Sequence, residues 1–114
     1  MTGPAQYVAA RRDDIRARLA DTERRLVDLR VARGDWTDEE HDPEGFTLTH
    51  EWSRLEGTRA EYEAELVELD HAEARIAAGE YGICAVCGRP IPPEQLELRP
   101  ARTTCVACAG RSRR

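Results

Sequence analysis

Bulky aromatic side chains are scarce in this sequence, with one Phe, two Trp and three Tyr among 114 residues. A compact globule of this length normally buries more large side chains, which argues against a single large core. No apolar run reaches the roughly 18 residues that a membrane-spanning helix needs. The N-terminus also lacks the basic-then-apolar order of a secretory signal. We therefore expect a cytoplasmic protein with no membrane association, built from one domain or from a small module joined to an extended element.

Lysine is absent, so all 17 basic residues are arginine, and the formal charge is −5. Residues 1–79 carry 19 acidic and 11 basic side chains, whereas residues 80–114 carry 3 acidic and 6 basic ones. The overall acidity argues against a protein that coats nucleic acid along its length. The C-terminal segment, with a basic tail at 111–114, remains able to make weak contacts with nucleic acid.

Residues 1–79 have the apolar spacing of two long helices, predicted at about 4–33 and 46–78. The intervals alternate between three and four residues, which is typical of a coiled-coil seam. In the first helix the seam contains Val8, Ile15, Leu19, Thr22, Leu26 and Leu29. In the second helix it contains Leu48, Trp52, Leu55, Arg59, Tyr62, Leu66, Leu69 and Ile76, with Glu73 in the one gap. Pro4, Gly34 and Gly79 lie where signals for helix starts and ends are expected.

An antiparallel hairpin with its turn near residue 40 brings the two seams together. It places Leu26 opposite Leu55 and puts the two polar exceptions, Thr22 and Arg59, in the same layer. That coincidence favours an intramolecular hairpin in a monomer, and a coiled-coil dimer is the alternative. The sequence predicts a mainly α protein, in which a long antiparallel coiled-coil helical hairpin (1–79) precedes a small four-cysteine zinc finger (80–110).

The finger is predicted from the spacing of the four cysteines. Two C-x-x-C pairs, Cys84 with Cys87 and Cys105 with Cys108, are separated by 17 residues. This is the spacing of a closed, structural Zn²⁺ site with four thiolate ligands. Too few apolar residues follow residue 80 to fold this segment without such a site. Two disulfides or a four-thiolate iron site are the alternatives, and the expected reducing compartment disfavours disulfides.

The string from Gly79 to Ile91, G-x-Y-G-x-C-x-x-C-G-x-x-I, resembles the DksA/TraR C4-type zinc-finger family, as do Leu96, Pro100 and the second cysteine pair. With the preceding hairpin, the likeness extends over roughly residues 4–110. Members of this family are bacterial transcription regulators that bind RNA polymerase. The resemblance implies that the coiled coil enters the secondary channel of the polymerase. There its acidic tip approaches the active site and alters the stability of promoter complexes.

The loop between the helices, residues 35–45, has the acidic character that the resemblance implies for the tip. It holds six carboxylates and no basic residue. The best-known family members carry D-x-x-D-x-A here, and the nearest string in this chain is Glu39-x-x-Asp42-x-Glu44. The candidates for a polymerase-modulating role are, in order, Asp42, Glu39 and Asp38, followed by Glu40 and Glu44. A solvated polar loop is the alternative interpretation.

Two other functional classes compete with a polymerase-binding regulator. One is a zinc-ribbon module that binds nucleic acid or protein, with the hairpin as a handle for a partner or a dimer. The finger offers arginines such as Arg89, Arg99 and Arg102 but no aromatic platform beyond Tyr81, which weakens that interpretation. The other class is an enzyme. The sequence shows no nucleophile–base set, open metal site or phosphate loop, so we expect a protein that is not an enzyme.

Overall fold

The computed structural model describes residues 3–34 and 43–111, and these contain four helices. They are α1 (Pro4–Gly34), α2 (Pro43–Ala78), α3 (Pro93–Leu98) and α4 (Val106–Arg111). Within these residues the extended backbone pairs only at one isolated antiparallel bridge, between Ile83 and Pro90. The predicted class, a mainly α protein with two long helices before a four-cysteine segment, is confirmed.

The second long helix begins earlier than its spacing indicated. It starts at Pro43, three residues before the predicted start at about 46. Proline suits the first position of a helix, because the amide hydrogen that it lacks would have no partner inside the helix there. The first helix ends at Gly34, one residue beyond the predicted end.

The C-terminus of α2 is closed by Gly79, as its sequence position predicted. Gly79 has a φ of 75°, which is the left-handed conformation that glycine adopts readily. Its amide donates to the carbonyl oxygen of Ile76 at 3.1 Å, and the amide of Glu80 donates to that of Arg75 at 2.9 Å. This pair of hydrogen bonds is the Schellman motif, which ends the helix and releases the chain into the cysteine segment.

The chain divides into two compact units, which we call the hairpin unit and the finger unit. The hairpin unit is Ile15–Ala64, and the finger unit combines Met1–Asp14 with Glu65–Arg114. The finger unit therefore includes part of each long helix as well as the four cysteines. The sequence predicted a boundary between hairpin and finger at residue 79. The compact units divide after Asp14 and after Ala64 instead, so this boundary stays a prediction.

The core of the hairpin unit consists of the predicted seam residues. Ile15, Leu26 and Leu55 are buried, and Thr22 is a buried polar residue in the same row. The Arg30 guanidinium lies 5.8 Å from the centroid of the Trp52 ring, in a cation–π contact between the end of α1 and the start of α2. A late residue of α1 therefore meets an early residue of α2, which is the order of an antiparallel pair.

The helical part of the finger unit has a small, tightly closed core. Val8, Leu69 and Ala72 are each 0% exposed and pack together, with Leu66 and Ile76 against them. The seam prediction had placed Glu73 in this row. Ala72 occupies the core instead, and Glu73 keeps about half of its side-chain surface exposed.

Ion pairs join the two helices beside this core. Arg12 lies at the seam position that the interval of seven between Val8 and Ile15 skips, and its side chain is only 13% exposed. It donates to Asp70 at 2.7 Å and to Glu73. The hydrogen bond to Glu73 is the main cause that raises the pKa of Arg12. Arg12 of α1 and Glu73 of α2 are therefore partners across the helix pair.

We expect the pairing of Arg12 with Glu73 to be measurable as a coupling energy. Arg12→Ala, Glu73→Ala and the double variant, compared by urea unfolding, should give about 1 kcal/mol, because Arg12 is largely shielded from water. The coupling should fall in high salt, since screening weakens the attraction. The exposed pair of Arg24 with Asp21 is the matched control and should show almost none. Equal couplings for the two pairs would contradict a special role for Arg12.

None of the helices in residues 3–34 and 43–111 has the length and apolar content needed to cross a lipid bilayer.

Candidate metal centre

The first cysteine pair lies on a tight hairpin between Gly82 and Ile91. The amide of Cys84 donates to the carbonyl oxygen of Arg89 at 2.8 Å, and the amide of Ile91 donates to that of Gly82 at 2.7 Å. Gly88, directly after the pair, has a φ of 74° and donates to the carbonyl oxygen of Cys84 at 3.0 Å. This backbone turn aims both sulfurs of the pair to the same side.

The second pair lies at the start of α4. Cys105 precedes the helix, Cys108 is within it, and the amide of Ala109 donates to the carbonyl oxygen of Cys105 at 2.9 Å. A hydrogen bond of 2.8 Å from the amide of Ala85 to the carbonyl oxygen of Thr103 joins this segment to the first hairpin. The two pairs therefore face each other across one centre.

The four cysteines are positioned to bind one metal ion. Their Sγ atoms all lie within 4.8 Å of one another, and none is in a disulfide. A tetrahedral zinc site with Zn–S distances of about 2.3 Å needs sulfurs roughly 3.8 Å apart, so the donor set fits after small adjustments. Cys84 and Cys108 are buried, Cys105 is half-buried and Cys87 is exposed. Four protein ligands complete the tetrahedron, which is typical of structural zinc.

The local hydrogen bonds make one thiol unusually acidic. The Sγ atom of Cys84 accepts from the amides of Cys87 at 3.5 Å and Cys105 at 3.4 Å, and these bonds lower its pKa to about 6. The pKa of Cys108 is instead raised to about 12, chiefly by the hydrogen bond between its side chain and that of Cys105. A thiol so close to other sulfurs resists ionisation, and a divalent cation would remove that cost.

Gln95 orders the second cysteine pair, although nothing in the sequence pattern singled it out. Its Oε1 atom accepts from the amide of Val106 at 3.1 Å and from Nη1 of Arg102 at 3.3 Å. The first contact satisfies an amide at the start of α4 that has no partner within the helix. Gln95 lies in α3, where Leu96 packs with Cys84 and Cys108 in an apolar cluster.

Tyr81 joins this apolar cluster to the helices. Its ring packs against the cluster around Cys84 and also against the core of Val8, Leu69 and Ala72. Its hydroxyl donates to the carbonyl oxygen of Pro100 at 2.8 Å, and burial raises the pKa of the phenol. The sequence marked Tyr81 only through its place in the G-x-Y-G string and as an aromatic residue of the finger.

The predicted tip residues are not placed by the structure. Asp38, Glu39, Glu40 and Asp42 lie outside the described residues. Glu44 belongs to the first turn of α2, and its side chain is likewise not described. The proposed role of the tip therefore stays a prediction from the sequence.

Two basic residues of the finger lie beside an open cavity. Arg99 and Arg102 line an open cavity of about 240 Å³ together with Arg75, Glu68 and His71. Arg102 also donates to the carbonyl oxygen of Thr104 at 3.2 Å.

Comparison with known proteins supports the assignment of the finger. Residues 79–114 match the family model described as the prokaryotic dksA/traR C4-type zinc finger. This match confirms the resemblance for that segment and identifies the metal as zinc. A curated "Uncharacterized protein" from Aquifex aeolicus (strain VF5) is 44% identical over 46 residues, which cover 40% of this chain and 32% of that protein. The chain thus spans about a third of the length of this relative.

A solved structure resembles nearly the whole chain. The structure of transcription factor DksA2 from Pseudomonas aeruginosa aligns with a TM-score of 0.56 and 21% sequence identity. The alignment covers 94% of this chain and 83% of that chain. At this identity the likeness establishes the fold alone.

Proposed function

We propose that this protein is a non-enzymatic transcription regulator that binds RNA polymerase, and that its hairpin enters the secondary channel. The observation that carries the proposal is the combination of a dksA/traR C4-type finger with the fold of DksA2 across 94% of the chain. The finger alone would fit many zinc-binding modules. The long paired helices that accompany it fit a protein that reaches into a narrow opening.

In this proposal the acidic tip alters the promoter complex, and the two long helices position the tip. Asp42, Glu39 and Asp38, with Glu40 and Glu44, would alter the electrostatic environment near the polymerase active site and so the lifetime of promoter complexes. Carboxylate oxygens suit contact with a catalytic Mg²⁺ or with basic side chains. Charged side chains of both signs lie on the exposed surface of α1 and α2, which suits transient docking on a large, charged partner.

The four cysteines have a structural role in the proposed function. Cys84, Cys87, Cys105 and Cys108 would hold one Zn²⁺, whose four thiolate ligands leave no position for a substrate. The zinc would supply folding free energy to a segment with a small apolar core. The chain's own contribution is the backbone that holds the two pairs face to face.

The test distinguishes binding to RNA polymerase from the effect on promoter complexes. Purified RNA polymerase from the source organism would be titrated with the wild-type protein and with an Asp38→Ala, Glu39→Ala, Asp42→Ala variant, and promoter-complex lifetimes would be measured in parallel. We expect both proteins to bind with similar affinity and only the wild type to change the lifetime. This result follows if the helices and finger supply the docking surface and the tip supplies the effect.

A charge-matched control keeps the result interpretable. Asp13→Ala, Glu23→Ala and Glu61→Ala together remove the same charge from exposed helical positions. This control should bind and should change the lifetime as the wild type does. If the tip variant also retained full activity, the acidic tip would have no role. If neither the wild type nor the variants bound polymerase, and the wild type bound DNA in a salt-dependent manner, the nucleic-acid interpretation would replace this one.

A further inference from the structure

We propose that the metal-bound finger holds together the adjoining ends of the two long helices. In this proposal Tyr81 couples the finger to these helix ends. On this view, loss of the metal opens residues 4–14 and 65–78 as well as the finger, whereas residues 15–64 keep their pairing. The proposal is independent of polymerase binding. Metal binding would then determine whether residues 4–14 and 65–78 are ordered.

The first argument is the composition of the finger unit. Met1–Asp14 and Glu65–Arg114 form one compact body, although 50 residues separate them in sequence. The helical segments in this body are short, with 11 residues of α1 and 14 of α2. They are the first residues of α1 and the last residues of α2, and helix ends fray readily, so their order depends on the packing that the rest of the unit supplies.

The second argument is the position of Tyr81 between two apolar clusters. On one side lie Cys84, Ile91, Leu96 and Cys108, and on the other lie Val8, Leu69 and Ala72. The hydroxyl of Tyr81 reaches the carbonyl oxygen of Pro100, a residue of the segment that leads into the second cysteine pair. If the cysteines separate, the ring loses its packing on one side and its hydrogen bond.

Two further hydrogen bonds run between the finger and the helices. The Tyr7 hydroxyl of α1 donates to Oε1 of Glu97 at 3.1 Å, and Nη2 of Arg75 in α2 donates to the carbonyl oxygen of Ala101 at 3.3 Å. Ala101 also packs against the Val8 core. These acceptors belong to the stretch between the two cysteine pairs, so their positions depend on the folded finger.

Hydrogen exchange of the full chain, with zinc bound and after its removal by a chelator, tests the proposal. We expect peptides from 4–14 and 65–78 to exchange about tenfold faster without zinc, because local opening exposes their amides. Peptides from 15–34 and 47–64 should change far less. Unchanged exchange in 65–78 after complete zinc removal would overturn the proposal.

Substitution of Tyr81 tests the coupling without removing the metal. In Tyr81→Ala, the Co²⁺-substituted protein should keep its four-thiolate absorption while residues 65–78 lose protection. Tyr62→Ala makes the same chemical change at a half-buried position of the hairpin unit and should leave 65–78 protected. Tyr81→Phe retains the ring and should restore most of the protection. Full protection of residues 65–78 in Co²⁺-bound Tyr81→Ala would contradict the coupling.

Discussion

Replacing Cys84 with serine is expected to abolish stable zinc binding and to unfold the finger. Cys84 is 2% exposed, and its sulfur accepts two backbone amides at the centre of the site. Serine cannot supply a thiolate, and metal binding in small zinc modules contributes about 10–16 kcal/mol of apparent folding free energy. Zinc content measured after gel filtration should fall from one equivalent to almost none. Circular dichroism should show the loss of at least α3 and α4.

Val86→Ser is the matched control for that variant. Val86 lies in the same turn as Cys84, but its side chain is 66% exposed and supplies no ligand. This control should keep one zinc and the full helical signal. If Cys84→Ser retained its zinc, the four-cysteine assignment would fail. If both variants lost zinc, the turn would be intolerant of any change and the ligand role of Cys84 would be unproven.

Acid should reproduce the effect of the cysteine variant in the wild-type protein. Protons compete with zinc for thiolates, so the affinity for zinc should decline as the pH falls. In the metal-free finger, the pKa of Cys84 is lowered to about 6, below that of an ordinary thiol. A lowered pKa stabilises the folded state above the ordinary thiol pKa and loses this contribution as the pH falls through about 6. Zinc release should therefore increase as the pH falls, and release independent of pH would contradict thiolate ligation.

Leu26→Asp is expected to have the second large effect, this time within the hairpin unit. Leu26 is 5% exposed, between the buried Thr22 and the end of α1. A carboxylate at this position would be buried without a partner while the apolar packing of leucine is lost. Together these changes should cost about 3–5 kcal/mol. Thermal unfolding followed at 222 nm should show a greatly lowered melting temperature.

The neighbouring residue provides the control for this change. Val27 is 52% exposed on the same helix, so Val27→Asp introduces the same charge one position away from the seam. Its cost should stay within about 0.5 kcal/mol, as for ordinary surface substitutions. Similar melting temperatures for the two variants would show that α1 does not bury the face assigned to it. Zinc content should be normal in Val27→Asp.

The sequence predicted the helices well because their pairing follows a simple repeat. Val8, Ile15, Leu26, Leu55 and Leu69 were all assigned to the seam from their intervals, and all are buried. The metal ligands were equally easy to predict from the sequence, because a C-x-x-C pair is a local motif whose chemistry does not depend on distant residues. In each case the information lies within one or two turns of the chain.

The errors arose where the repeat is ambiguous. After Leu69, positions three and four residues later both lie near the seam, because 3.6 residues per turn do not match a strict repeat of 3.5. The charged pairing of Arg12 with Glu73 decides between them. It draws Glu73 to the side of the interface and leaves Ala72 in the core. Intervals alone carry no information about such a cross-helix partner.

The residues that hold the metal ligands in place were predicted least well. Gln95 and Tyr81 act through contacts with residues that are distant in sequence, and neither residue type signals a metal site. The short helix α3 was also missed, since the sequence predicted helices only at about 4–33 and 46–78. Pro93 is in fact the first residue of α3, where proline is well tolerated.

The antiparallel order of the two helices also has a kinetic consequence. The contact of Arg30 with Trp52 closes a loop of 22 residues, whereas Arg12 and Glu73 lie 61 residues apart. In a flexible chain the longer closure costs about 1 kcal/mol more, so the shorter loop forms more often in the unfolded ensemble. We therefore expect folding to begin near Trp52 and to proceed along the seam toward Val8. In a φ-value experiment, Leu55→Ala should then slow refolding more than Leu69→Ala does, relative to their losses of stability.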